Sequence, residues 1–123
     1  MPVKIALVGH CGPDSFMLRS AVKYAVKDAE VVMITDDTVL SAELSNGLSL
    51  LLVNRMLDGN FELHEGVELI RRLHTTYPQL AIMLISNYAD SQKAAEAVGA
   101  LPGFGKGEVG TQKMRDALAG ALA

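Results

Sequence analysis

Three polar residues of the chain each follow an apolar run of strand length, and they are the first candidates for chemistry. Asn54 ends the most continuous run, from Leu48 to Val53, while Ser86 and Lys106 follow two later runs. If these runs are parallel strands, their carboxyl ends meet at one edge of the sheet, where open α/β sheets bind ligands. An amide, a hydroxyl and an ammonium group can hold a ligand by hydrogen bonds. No His-plus-carboxylate arrangement that would make Ser86 a nucleophile can be read beside it.

The segment from Gly9 to Asp14 is a second candidate, because glycines before a helix can cradle an anion with backbone N–H groups. It lacks both the Gly-x-Gly-x-x-Gly spacing and the Gly-Lys-Ser/Thr of a P-loop. Cys11, close to a helix start, has a weak redox interpretation. His10 and Cys11 alone are not a metal-ligand set, and His64 and His74 lack ligand spacing, so loop or surface roles are predicted for all three histidines.

The elements that must position these residues alternate between strand and helix. Apolar runs predict five strands, and apolar residues at three- and four-residue spacing predict a helix after each. The strands are predicted at 4–9, 31–35, 48–53, 80–85 and 101–106, and the helices around 17–26, 39–44, 67–73, 94–98 and 111–122. Parallel strands need helical crossovers that cover both faces of the sheet. The sequence therefore predicts one α/β domain over 1–123, a doubly wound parallel five-stranded sheet.

Local signals predict several element boundaries. Asp14 or Ser15 is expected to cap the first helix and Asp90 the fourth. Gly99 is expected to end the fourth helix. Pro102, within the fifth strand, predicts an edge position or an early break.

Composition excludes several classes of function. A formal net charge of −3 over 123 residues argues against a direct nucleic-acid surface. The single cysteine cannot form an internal disulfide, and the N-terminal residues lack the apolar segment of a signal peptide. No apolar segment approaches the roughly 20 residues that cross a bilayer. A cytoplasmic protein without a membrane partner is expected.

Several local motifs, together with the order of elements, resemble the receiver domain of two-component response regulators. Met56 matches the methionine two residues after the phosphoacceptor, and the segment 65–69 (Glu-Gly-Val-Glu-Leu) resembles the family's Asp-Gly-x-Glu-Leu. Ser86 fits the switch Ser/Thr with Tyr88 close after it, and Lys106 fits the lysine that ends the fifth strand. The resemblance implies a flavodoxin-like sheet of order 2-1-3-4-5. It also implies phosphoryl transfer from a histidine kinase to an aspartate with help from Mg²⁺.

The sequence departs from this family at the positions that carry the chemistry. Gly9 and His10 stand at the acidic-pair positions, and Asn54 stands at the phosphoacceptor position. An amide has no negative charge with which to attack phosphorus. Mg²⁺ prefers hard anionic oxygens, which Gly9 and His10 do not supply. The residues predict a degenerate or pseudo-receiver domain that is not an enzyme and has neither Mg²⁺ nor another cofactor. Lys106 is then expected to donate to the Asn54 amide oxygen or to be solvated.

Three functional hypotheses remain open on the sequence. The first is a signalling domain that acts by protein–protein interaction with a histidine kinase, a phosphotransfer protein or an output protein. Its contact surface is either the first helix, whose outer face carries Arg19, Lys23 and Lys27, or the face from the fourth strand to the last helix. The apolar stripe of the last helix leaves a homodimer open.

The second hypothesis is a small flavodoxin-like domain that binds an anionic ligand or a nucleotide through the loop from Gly9 to Asp14. The third is a response regulator whose acceptor has moved to a nearby acid such as Asp58. Asp14, Asp36 and Asp37 are the other acids that could gather at the carboxyl edge of the sheet and rebuild a metal site.

Overall fold

Five apolar runs form the strands of a parallel sheet in the computed structural model, which describes residues 3–123. The strands are β1 (Lys4–Val8), β2 (Glu30–Ile34), β3 (Leu50–Asn54), β4 (Ile82–Ile85) and β5 (Leu101–Phe104). Their order across the sheet is β2-β1-β3-β4-β5, and every pairing is parallel. This confirms the flavodoxin-like topology and places β3, which ends in Asn54, at the centre.

Helices cover both faces of the sheet, as predicted. They are α1 (Gly12–Ala25), α2 (Asp37–Asn46), α3 (Gly66–Thr76), α4 (Ala89–Ala97) and α5 (Gln112–Leu122), with a short 3₁₀ turn at Lys106–Glu108. Side chains of α1 and α5 pack on one face, and those of α2, α3 and α4 pack on the other. No helix within residues 3–123 is both long enough and apolar enough to cross a membrane.

The unbroken apolar character of β3 follows from burial on both faces. Leu50 and Leu52 belong to the core beneath α1 and α5, whereas Leu51 and Val53 belong to the core beneath α2, α3 and α4. All four are fully buried. A central parallel strand therefore has no solvent face on which polar residues would alternate.

Two predicted helix caps are wrong. The N-cap residue of α1 is Cys11, because Pro13 occupies the first turn, where its fixed φ suits a helix start and its missing N–H costs nothing. Asp14 consequently lies inside the first turn. The N-cap residue of α4 is Tyr88, so Asp90 likewise lies in the first turn and caps nothing.

Two other boundary predictions are confirmed. Gly99 follows α4 with φ +113, a conformation that glycine adopts without strain. β5 lies at the edge of the sheet, and its register with β4 shifts around Pro102 and Gly103. The shift is expected where a proline cannot donate to the ladder.

The last helix leaves no free apolar stripe. Met114 and Leu118 are buried, and Ala117, Ala121 and Leu122 pack against the same core. Core packing therefore accounts for the stripe that had left a homodimer open.

The close approach of α3 to β3 predicts an effect of one added methyl group. A Cβ at Gly66 would collide with the backbone carbonyl of Asn54, whereas a Cβ at Gly120 in α5 would meet nothing. We expect Gly66→Ala to lower the free energy of unfolding by about 1–3 kcal/mol. Gly120→Ala, the matched control, should leave it unchanged or raise it by about 0.5–1 kcal/mol. Urea titration followed by circular dichroism measures both, and equal effects would show that α3 can move away from β3.

Candidate functional site

The carboxyl edge of the sheet brings four of the predicted site residues to one cleft. Asn54, Ser86, Tyr88 and Lys106 line a cleft of about 260 Å³, together with Arg55, Met56, Ile85 and Asn87. Gly9 and His10 do not line it. His10 instead borders a groove on the far side, between α1 and β2.

The Asn54 side chain at the tip of β3 is committed to the backbone. It is 7% exposed, and its Nδ2 donates to the carbonyl oxygens of Gly9 (3.0 Å) and Met56 (2.8 Å). Its Oδ1 accepts from the N–H of Arg55 at 3.0 Å. Both amide hydrogens are therefore used, and they join the end of β1 to the chain that leaves β3. The Asn54 side chain thus satisfies backbone hydrogen-bonding groups around the end of β3.

Leu57 fills the space beside Gly9. Gly9 has φ +74, and a Cβ there would stand 2.7 Å from Leu57 Cδ2. The Gly9 carbonyl accepts from the N–H of Asp58 at 2.9 Å as well as from Asn54. An acidic side chain could occupy position 9 only if Leu57 moved away.

The connection from β3 to α3 closes over the ends of β1 and β2. The Asn60 N–H donates to the Thr35 carbonyl at 2.8 Å, and the Glu62 N–H donates to Asp37 Oδ2 at 2.7 Å. Asp36 Oδ1 accepts from Val39 and caps α2. Asp36 and Asp37 thus serve the backbone.

Carboxylates do not converge at this edge. Among residues 3–123, no group of three or more His, Cys, Asp or Glu side chains is placed to hold a metal ion. Asp58 is exposed and lines the groove between α1 and β2, away from the cleft of Asn54.

His10 is buried, so the loop or surface role predicted for it is wrong. Its side chain is 3% exposed, and Nε2–H donates to the Leu52 carbonyl in the middle of β3 at 2.9 Å. Burial lowers the pKa of His10 below its ordinary value near 6.5, and the Lys106 charge adds to this effect. The bond to Leu52 and the charge of Asp14 act in the opposite direction. A neutral imidazole is therefore favoured at position 10, which the sequence resemblance had assigned to the second residue of the acidic pair.

Lys106 forms an ion pair with Asp14 and not the predicted hydrogen bond to the Asn54 amide oxygen. Nζ lies 2.9 Å from Asp14 Oδ2, and each side chain is about one-third exposed. The hydrogen bond from Lys106 is the main cause that lowers the pKa of Asp14. Asp14 reaches Lys106 from the first turn of α1, which begins at Gly12.

Ser86 and Tyr88 shape the loop that follows β4. Ser86 is 5% exposed, and its Oγ accepts from the N–H of Tyr88 at 3.1 Å. The Tyr88 ring is exposed, and the Arg55 guanidinium lies 4.7 Å from its centroid. Arg55 was not singled out from the sequence. The available signal was a cation one residue beyond the strand tip and an aromatic residue two beyond Ser86.

Gln92 in α4 is a second residue that sequence reasoning missed. Its Nε2 donates to the carbonyls of Leu84 (2.9 Å), Ser86 (3.1 Å) and Phe104 (3.3 Å). Leu84 lies where the register of β4 and β5 shifts, and the Phe104 carbonyl also accepts from the Ser86 N–H. The side chain therefore adds hydrogen bonds to the ladder at its irregular end. No sequence pattern marks this role, because a glutamine on a short helix normally faces solvent.

The burial of His10 predicts a pH dependence of stability. The folded chain holds His10 at a lowered pKa, so below about pH 6.5 the unfolded chain binds a proton that the folded chain does not. We expect the free energy of unfolding to fall as pH decreases from about 7.5 to 5. Asp14 does not contribute in this window, because its pKa lies below 3.8.

His10→Gln, which keeps a donor for Leu52, should flatten this dependence, whereas His64→Gln in the exposed loop should not. Urea titrations at several pH values provide the measurement. Parallel curves for the parent chain and His10→Gln would contradict the assignment.

Comparison with known proteins identifies the fold. No protein-family model matches the chain, and no curated protein matches it. Solved structures do. A putative response regulator from Chloroflexus aurantiacus has a TM-score of 0.81 at 18% identity, over 99% of this chain and 98% of that one.

In two longer response regulators the same arrangement of strands and helices forms one part of the chain. RcsB of Salmonella typhimurium has a TM-score of 0.78 at 18% identity, over 96% of this chain and 58% of RcsB. NtrX of Brucella abortus, in complex with ADP, has a TM-score of 0.82 at 20% identity, over 99% of this chain and 27% of NtrX. The chain thus spans only part of these two proteins. Its fold is that of the response regulator receiver domain, as the sequence resemblance implied.

Proposed function

We propose that the chain is a receiver-like signalling domain that accepts no phosphoryl group at position 54 and acts by binding another protein. The observation that carries the proposal is the commitment of both Asn54 amide hydrogens to the carbonyls of Gly9 and Met56. An amide held in this way has neither the charge nor the freedom of a phosphoacceptor carboxylate. On this proposal the chain is not an enzyme.

The residues at the acidic-pair positions do not fit a magnesium ion. Mg²⁺ requires several oxygen ligands in octahedral geometry, and carboxylates usually bind it. Leu57 packs beside Gly9, and the His10 ring nitrogen donates to Leu52. The carboxylate of Asp14, whose charge acts on His10, is already paired with Lys106. We therefore propose a domain that needs no Mg²⁺ or other cofactor.

A relocated acceptor has less support. Asp58 lies in the groove between α1 and β2, whereas Lys106 and Ser86 line the other cleft. A phosphoryl group on Asp58 would have neither side chain beside it. Asp58 therefore does not form a second site that combines a carboxylate with a serine and a lysine.

The alternative of an anionic ligand at the loop from Gly9 to Asp14 is also less supported. Pro13 offers no N–H in the first turn of α1. Asp14 places a negative charge at the helix terminus, where an anion would otherwise be attracted. The helix dipole is already satisfied from within the chain.

The partner class is a further part of the proposal. A receiver fold without phosphoryl transfer signals through its surface, so the expected partner is a histidine kinase, a phosphotransfer protein or an output protein. The face of α1 and the face from β4 to α5 are the two surfaces on which such a partner would dock. The cytoplasmic location stays a prediction from the sequence.

Treatment with acetyl phosphate and Mg²⁺ tests the proposal. Intact-mass spectrometry should show no added phosphoryl group on the parent chain, and a conventional receiver domain should be labelled in parallel. Asn54→Asp should also stay unlabelled, because Leu57 and His10 would still occupy the space where Mg²⁺ would have to bind. Label on the parent chain would overturn the proposal, and its loss in Asp58→Asn would locate the moved acceptor.

The same variant has a predicted stability. In Asn54→Asp a carboxylate replaces the donor that faces the Gly9 and Met56 carbonyls. The Met56 carbonyl then loses its partner, and the Gly9 carbonyl, which keeps the Asp58 N–H, faces a negative charge. We expect a loss of about 2–3 kcal/mol in the free energy of unfolding, measured by urea titration. Unchanged stability would show that the two hydrogen bonds contribute nothing.

A further inference from the structure

We propose that the groove between α1 and the outer edge of β2 binds an acidic segment of a partner protein that inserts an apolar anchor side chain. The inference rests on the proposed function, since it names the partner chemistry of a domain that acts by protein binding. The groove has a volume of about 400 Å³ and is lined by His10, Gly12, Ser15, Phe16, Arg19, Met33, Thr35, Asp58 and Gly59.

Two large apolar side chains in the groove are exposed. The Phe16 ring is 71% exposed, and Met33, on the edge strand, is 50% exposed. Neither belongs to the core clusters on the two faces of the sheet. Full burial of one such side chain contributes about 1.5–3 kcal/mol, and aromatic residues and methionine are enriched in protein interfaces. An apolar side chain of a partner that covered both would therefore anchor the contact.

The helix beside the groove carries unpaired positive charge. Arg19 and Lys23 form a cationic stripe on α1, since both are exposed and within residues 3–123 neither forms an ion pair. Lys27, which the sequence placed on the same helix face, lies beyond the end of α1 and stacks on the Tyr24 ring at 4.2 Å. Asp14, the single carboxylate of α1, is taken by Lys106. This cationic stripe stands on a chain whose net charge is −3. Charge complementarity selects an acidic partner, because a basic one would be repelled as it approached.

Asp58 adds a negative charge to the groove. It is the one carboxylate among the lining residues, opposite in charge to Arg19. An acidic segment approaches Arg19 favourably and Asp58 unfavourably, so removal of the Asp58 charge should strengthen binding.

The chain that follows β2 offers no free backbone edge beside the groove. The outer edge of the strand end is already occupied, because the Thr35 carbonyl accepts from the Asn60 N–H and Asp36 pairs with Asn60. A peptide added as a sixth strand would have to displace this loop. The partner segment therefore binds through side chains.

The experiment uses a phage-displayed library of random dodecapeptides panned against the full chain, without any phosphodonor. Selected peptides should be enriched in Asp and Glu around one aromatic or leucine residue. Fluorescence polarisation with a selected, labelled peptide then measures affinity. Phe16→Ser and Arg19→Glu should each weaken binding by about tenfold or more, and Asp58→Asn should strengthen it.

Matched controls lie elsewhere on the surface. Tyr77→Ser removes an exposed aromatic residue at the end of α3, and Lys93→Glu reverses an exposed charge on α4. Both should leave the affinity unchanged.

Several outcomes would overturn the proposal. They are a library that yields no binder, selected peptides without acidic enrichment, equal binding to Phe16→Ser and Arg19→Glu, or displacement of the peptide by duplex DNA, which would reassign the stripe to nucleic acid. The two proposals can fail separately. Absence of peptide binding would not change the result expected from acetyl phosphate, and phosphoryl labelling of the parent chain would overturn the proposed function without altering the peptide affinities.

Discussion

The hydrogen bonds from the Asn54 amide hold the carboxyl edge of the sheet together. They connect the end of β1, through Gly9, to the chain that leaves β3, through Met56. Both partners of the Nδ2 atom are carbonyl oxygens, so these two hydrogen bonds require a donor at this position. A carboxylate would turn two attractions into two repulsions. The nitrogen atom that distinguishes an amide from a carboxylate is therefore the atom that joins the ends of β1 and β3.

The charges and packing of the residues near Asn54 are compatible with an amide at this position. A lysine next to a site without carboxylates still needs a counter-ion, since a partly buried charge without a partner is unfavourable. Asp14 supplies it from the first turn of α1. Leu57 and the neutral His10 fill volume at the acidic-pair positions with apolar or uncharged groups. The side chains around Asn54 are thus mutually consistent, because the lysine has a counter-ion and the space beside Gly9 is filled.

The sequence predicted the sheet better than it predicted the site, for physical reasons. Burial on both faces makes β3 continuously apolar, and that signal is local to the run from Leu50 to Val53. The partner of Lys106 depends on where α1 starts, and Pro13 shifts that start away from the residues that usually cap. The burial of His10 depends on the path of β3, which is distant in sequence. A sequence shows which residues stand where a family has acidic residues. It does not show which groups from other elements contact those residues in the fold.

Gln92 changes how the edge strand is attached to the rest of the molecule. One side-chain nitrogen of α4 bonds to carbonyls of both β4 and β5, at the place where the ladder between them is irregular. The attachment of β5 is thus shared between a strand and a helix. A fluctuation that lifts α4 also loosens β5, so the two elements open to hydrogen exchange as one cooperative unit, not as separate segments.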